Sequence, residues 1–141
     1  MVNVHLAREF DIAADKVWAL LENFGDIGWA PGIDKTELIG DGIGMTRRLH
    51  LAGMEPIDEV LTAMDKAAMT FAYDIPRGIP IPVTAYSANA KVTSLGDDRC
   101  RVDWYGRAEP AGVSDDDAIA MIQGTYEMLL QWVGEHLAAA S

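Results

Sequence analysis

Apolar residues recur at every second position from Val2 to Ile12, with Val2, Val4, Leu6, Phe10 and Ile12 on one face and Arg8 the one exception. That period predicts a strand. From Ala13 to Phe24 the spacing becomes helical: Val17, Leu20, Leu21 and Phe24 form a stripe beside Trp18, and Asp15 sits where a first-turn acid complements the helix dipole. The segment Phe24 to Gly32 mixes three glycines and a proline with aromatics, which reads as a structured loop or a broken short helix. Alternation then returns in six further runs: Ile33 to Ile39, Gly44 to Leu51, Glu55 to Met64, Met69 to Ile75, Val83 to Leu95 and Arg99 to Glu109. Turn chemistry separates them at Gly40-Asp41-Gly42, Ala52-Gly53-Met54, Asp65-Lys66-Ala67, Pro76 to Pro82 and Gly96-Asp97-Asp98, so neighbours should pair antiparallel. Ser114, followed by Asp115-Asp116-Asp117, is a strong helix start. The helix should run toward Ala139 with Ala118, Ile122, Tyr126, Leu129 and Val133 on its buried stripe.

The order strand, helix, six strands, long helix predicts an α+β fold, a curved seven-stranded antiparallel sheet whose apolar face is covered by the C-terminal helix. One domain, residues 1–141, suffices for a chain of this length. The hairpin about Gly53 is its most telling part. Pairing centred there sets Arg47 opposite Glu59, Leu49 opposite Ile57 and Met45 opposite Leu61. An opposed charge pair on an apolar wall either locks the hairpin or lines a cavity that holds something polar. A turn centred on Lys66 would set Glu59 opposite Tyr73, Leu61 opposite Phe71 and Ala63 opposite Met69; one centred on Asp97 would set Ala90 opposite Trp104, Val92 opposite Val102 and Ala88 opposite Gly106. Tyr86, Cys100 and Trp104 then face inward. The small residues Ala88, Ala90, Gly106 and Ala108 on that face would leave space beneath the last helix.

Composition narrows the function classes. A formal net charge of −11, with seven arginines and four lysines scattered along the chain, argues against nucleic acid and against an anionic membrane surface. No apolar run approaches the length needed to cross a membrane, and the first residues lack a signal-peptide pattern, so a cytoplasmic location is the expectation. The single cysteine, Cys100, excludes an internal disulfide and reads as a buried small apolar residue. His5, His50 and His136 form no metal-ligand spacing, Gly40 to Gly44 precedes a strand and so fails as a phosphate loop, and no serine has a histidine partner. Neither metal nor cofactor is expected.

Val17-Trp18 in the first helix, Phe24 followed by Trp29-Ala30-Pro31-Gly32, Gly42-x-Gly44 leading to Arg47, Gly53 leading to Glu59, and then Tyr73, Tyr86 and Trp104 resemble one known pattern. It is that of the polyketide cyclase/dehydrase and lipid-transport branch of the START/Bet v 1-like (SRPBCC) superfamily. The likeness runs from Val4 to about Leu137. It implies the helix-grip fold, with short helices after the first strand, and an apolar cavity between sheet and long helix that accepts hydrophobic small molecules in many members.

Residues expected to meet the ligand are Trp29, Met45, Arg47, Leu49, Glu59, Leu61, Phe71, Tyr73, Tyr86, Trp104, Ile122 and Tyr126. Trp29 is either a lid or a plug, and Arg77 to Pro82 a second mouth loop or a stiff connector. Three functions remain open: binding of a lipid or polyketide-like molecule; a cyclase, aromatase or dehydratase in which Arg47, Glu59 and Tyr73 are the catalytic candidates; and an interaction module with a filled cavity. The expected partner is a hydrophobic small molecule, with pairing to a second copy in a homodimer left open.

Overall fold

The computed structural model describes residues 1–140. Nine elements follow one another: β1 (Val2–Phe10), α1 (Ala14–Glu22), β2 (Lys35–Ile39), β3 (Thr46–His50), β4 (Ile57–Asp65), β5 (Thr70–Arg77), β6 (Val83–Gly96), β7 (Arg99–Pro110) and α2 (Asp115–Ala140). The strands form one antiparallel sheet in the order β1-β7-β6-β5-β4-β3-β2, open at β1 and β2. Each anticipated run became one strand; β1, β2 and β3 are shorter than anticipated, while β4 to β7 run on by one or two residues at their C-terminal ends. The only helix between β1 and β2 is α1, because the glycines and Pro31 beyond it leave turns in place of a second.

Two registers match their turns. Arg47 pairs with Glu59 and Leu49 with Ile57, while Ala90 pairs with Trp104, Val92 with Val102 and Ala88 with Gly106. The β4–β5 register differs from expectation. Leu61 lies opposite Tyr73 and Met64 opposite Phe71, because the turn spans four residues, Lys66 to Met69, and is not centred on Lys66; the ladder then shifts between Leu61 and Ala63 and again between Asp58 and Val60. Such irregularities let two residues on one strand face a single partner, so the inward face passes from Leu61 to Met64 and Ala63 turns to solvent.

Helix α2 packs on β1 and β7, and α1 on β6 and β7. The α2 stripe against the sheet is Ala118, Ile122, Tyr126, Leu130 and Val133, all fully buried. Leu130 takes the place expected for Leu129, because a spacing of four from Tyr126 keeps to the sheet side while Leu129 turns to the flank. The start of α2 is as anticipated: the Ser114 hydroxyl accepts the Asp117 backbone N–H at 3.1 Å. Replacing Ser114 by Ala leaves that N–H without its cap and is expected to cost about 1 kcal/mol, read as a lower urea midpoint at unchanged slope.

On the opposite face of the β3–β4 hairpin, Arg48 donates twice to Asp58, at 2.7 and 3.1 Å, and holds that carboxyl below the usual range. Asp103 accepts from His5 at 2.7 Å and Arg101 at 3.0 Å. Polar pairs thus tile the outer face, while the inner one is apolar apart from Arg47, Glu59 and the tyrosine hydroxyls. No helix among the described residues is long and apolar enough to cross a membrane.

Candidate functional site

Because α2 lies over the β1 and β7 side, the inner face of β3 to β5 is roofed by the flank of the helix and by two loops. A cavity of about 160 Å³ remains between them. Its floor is Leu49, Ile57, Tyr73, Tyr86 and Trp104; its roof is Ile122, Thr125, Tyr126, Leu129 and Trp132; its rim is the Trp29–Ile33 segment and Ile79-Pro80-Ile81. Trp29 is buried in this rim at 6% exposure, which makes it a plug in this conformation. The second rim is pinned by Gly78. Its φ of +80° suits glycine, and an added Cβ would collide with the Pro56 carbonyl oxygen, so the chain must pass tightly against the start of β4.

Arg47 and Glu59 form one wall at 6% and 9% exposure. Arg47 Nε donates to Glu59 Oε1 at 2.6 Å and Nη1 donates to the Phe24 carbonyl at 3.0 Å. The guanidinium also lies 4.0 Å from the Phe24 ring centre and 5.7 Å from that of Tyr73, so aromatic faces replace water around the cation. This arrangement ties β3 to β4 and to the loop after α1, and it places the pair on the wall of the hollow.

The phenols complete the polar set. Trp104 Nε1–H donates to the Tyr73 hydroxyl at 3.2 Å, and the Tyr86 and Tyr126 hydroxyls share a hydrogen bond of 2.6 Å. Burial pushes all three tyrosines well above the usual phenol range, and the nearby Glu59 charge adds to this at Tyr73. They therefore stay protonated and act as neutral donors and acceptors.

Of the anticipated ligand residues, Trp29, Arg47, Leu49, Glu59, Tyr73, Tyr86, Trp104, Ile122 and Tyr126 are brought together on this cavity. Three are not. Leu61 and Phe71 are buried in the core beyond it, with Phe71 packed against Trp18, Phe24, Tyr73 and Trp104, and Met45 is half-buried beside Gly25. The displaced β4–β5 register is one reason, since Phe71 sits opposite Met64 and away from the Arg47 end. The small-residue patch also behaves differently from expectation. A Cβ on Gly106 would collide with the Tyr126 hydroxyl and come 3.0 Å from its Cζ, so the space left by Gly106 is filled by a phenol. The open volume lies farther along, toward β3 and the rims. Sequence reasoning missed Ile27, Ile57, Leu129 and Trp132 as lining. Ile122, Thr125, Leu129 and Trp132 form a second helical stripe beside the core one, and that spacing was the available signal.

Among solved structures, the chain is similar to an uncharacterized protein from Bacillus thuringiensis, with 26% identity, a TM-score of 0.85, and 96% of this chain and 98% of that one covered. XoxI from Bacillus cereus is also 26% identical, with a TM-score of 0.84 over 96% of this chain and 95% of that one. Norcoclaurine synthase from Thalictrum flavum, solved with dopamine and hydroxybenzaldehyde, shares the fold at 18% identity, with a TM-score of 0.79 over 99% and 88% of the two chains. No curated protein matches the chain. The family described as polyketide cyclase / dehydrase and lipid transport matches residues 1–137. By that match over almost its whole length, and by the sheet-and-helix frame just described, the chain belongs to the polyketide cyclase/dehydrase and lipid-transport family.

Proposed function

We propose that this protein binds a compact hydrophobic small molecule in the cavity between β3–β5 and α2. The observation that carries the reading is an apolar hollow of about 160 Å³ bordered by only a few polar groups. A dry apolar cavity of about 150 Å³ is large enough for benzene, so a single ring suits this volume and a longer chain would have to displace Trp29 or the Ile79–Ile81 rim. Catalysis by Arg47, Glu59 and Tyr73 is the lesser reading. Glu59 Oε1 is committed to Arg47 Nε at 2.6 Å, so that oxygen is not free to meet a substrate proton. The third reading required a filled cavity, whereas this one is open.

Ring compounds such as toluene and phenol should raise the melting temperature with saturation, since a ligand at a hundred times its Kd adds about 2.7 kcal/mol. Leu129→Trp places extra volume at the half-buried roof and is expected to abolish that rise while the variant still melts cooperatively. No rise with either compound, or an equal rise in the variant, would sink the proposal.

A further inference from the structure

Arg47 meets the cavity as half of a pair. Its Nε and Nη1 are committed to Glu59 Oε1 and the Phe24 carbonyl, at 2.6 and 3.0 Å. Nη2 donates no hydrogen bond to any described residue and the carboxylate Oε2 accepts none, and neither is a sealed, unsatisfied atom, so each keeps open surface. Both residues line the hollow, and Arg47 is the one cation among its lining residues. A spare donor therefore stands beside a spare acceptor, on two groups whose charges cancel.

We infer that the ligand is electrically neutral and presents a hydrogen-bond acceptor next to a donor, and that Glu59 is the residue that sets this preference. The inference rests on the binding reading above and names its ligand class. A carboxylate would gain Arg47 but bring a second negative charge beside Glu59 into an apolar space, and burying an unpaired charge is strongly unfavourable. A cation meets the converse problem at Arg47. The protonated tyrosines add no charge of their own. The chain's net charge of −11 opposes the approach of anions from solution as well. A primary amide or lactam matches the two spare valences, its carbonyl accepting from Nη2 and its N–H donating to Oε2.

Benzamide and benzoate test this, because they share shape and differ in charge. Calorimetric titration of the full chain at pH 7 should show benzamide binding at least about tenfold tighter than benzoate, with toluene as the apolar reference. Glu59→Gln keeps an acceptor for Arg47 Nε and leaves the wall cationic, so the preference should reverse toward benzoate. Benzoate binding as tightly as benzamide to the unaltered protein would overturn the inference, and that comparison stands even if Glu59→Gln fails to fold. A selective parent with an unreversed, folded Glu59→Gln would overturn the assignment to Glu59. Toluene binding without benzamide binding would overturn the neutral-polar class and leave the hydrophobic reading intact; no binding of any of the three would remove both.

Discussion

Glu59→Leu alone is expected to cost about 3–5 kcal/mol of folding stability, the usual penalty for leaving one member of a buried ion pair without its partner. Arg47 would remain at 6% exposure with only the Phe24 carbonyl and two aromatic faces around it. It could not shed its charge, since a guanidinium does not deprotonate in proteins. Arg47→Met combined with Glu59→Leu should lie much nearer the parent, because apolar side chains of similar volume often replace a buried pair at little or no cost. Urea unfolding of the two single variants and the double variant gives the coupling directly. A Glu59→Leu protein as stable as the parent would mean that the pair does not hold β3 to β4.

Gly106→Ala carries the second large effect. One methyl there collides with the Tyr126 hydroxyl on a fully buried side chain, and the shift needed to relieve it breaks the 2.6 Å bond to Tyr86. Overpacking of this kind costs about 1–3 kcal/mol, to which a lost buried hydrogen bond adds about 1 kcal/mol. Pairing the change with Tyr126→Phe removes the oxygen that the methyl meets. The double variant should therefore recover part of the loss, even though Tyr126→Phe alone is destabilising. Strictly additive losses in thermal or urea unfolding would show that Gly106 is not small on account of Tyr126.

How far such features could be read beforehand depended on the range of the interaction. Arg47 opposite Glu59 and Ala90 opposite Trp104 follow from period-two alternation on either side of a short turn, and they are local matters. Glu59 opposite Tyr73 failed because the turn takes four residues, Lys66 to Met69, and is not centred on Lys66; the ladder also slips at Thr62 in β4, which no glycine or proline marks, and at Ile75-Pro76 in β5, where Pro76 was the available signal. Ala88, Gly106 and Ala108 announced room under the helix, but only the three-dimensional path of α2 determines that Tyr126 fills it. The rims lie between these cases. Arg77 to Pro82 is legible as a candidate mouth loop, but only loop geometry and helix placement bring Ile79, Ile81 and Trp132 to the hollow.

Trp29, Trp104 and Trp132 all border the hollow, and the chain has four tryptophans in all. Most of its near-ultraviolet absorption is therefore taken up by indoles that stand beside whatever occupies that space. Expelling water or bringing in a second ring alters the surroundings of these indoles and leaves Trp18, which belongs to α1 and does not line the hollow, largely unaffected. The protein thus carries its own optical gauge of occupancy, with no label to attach.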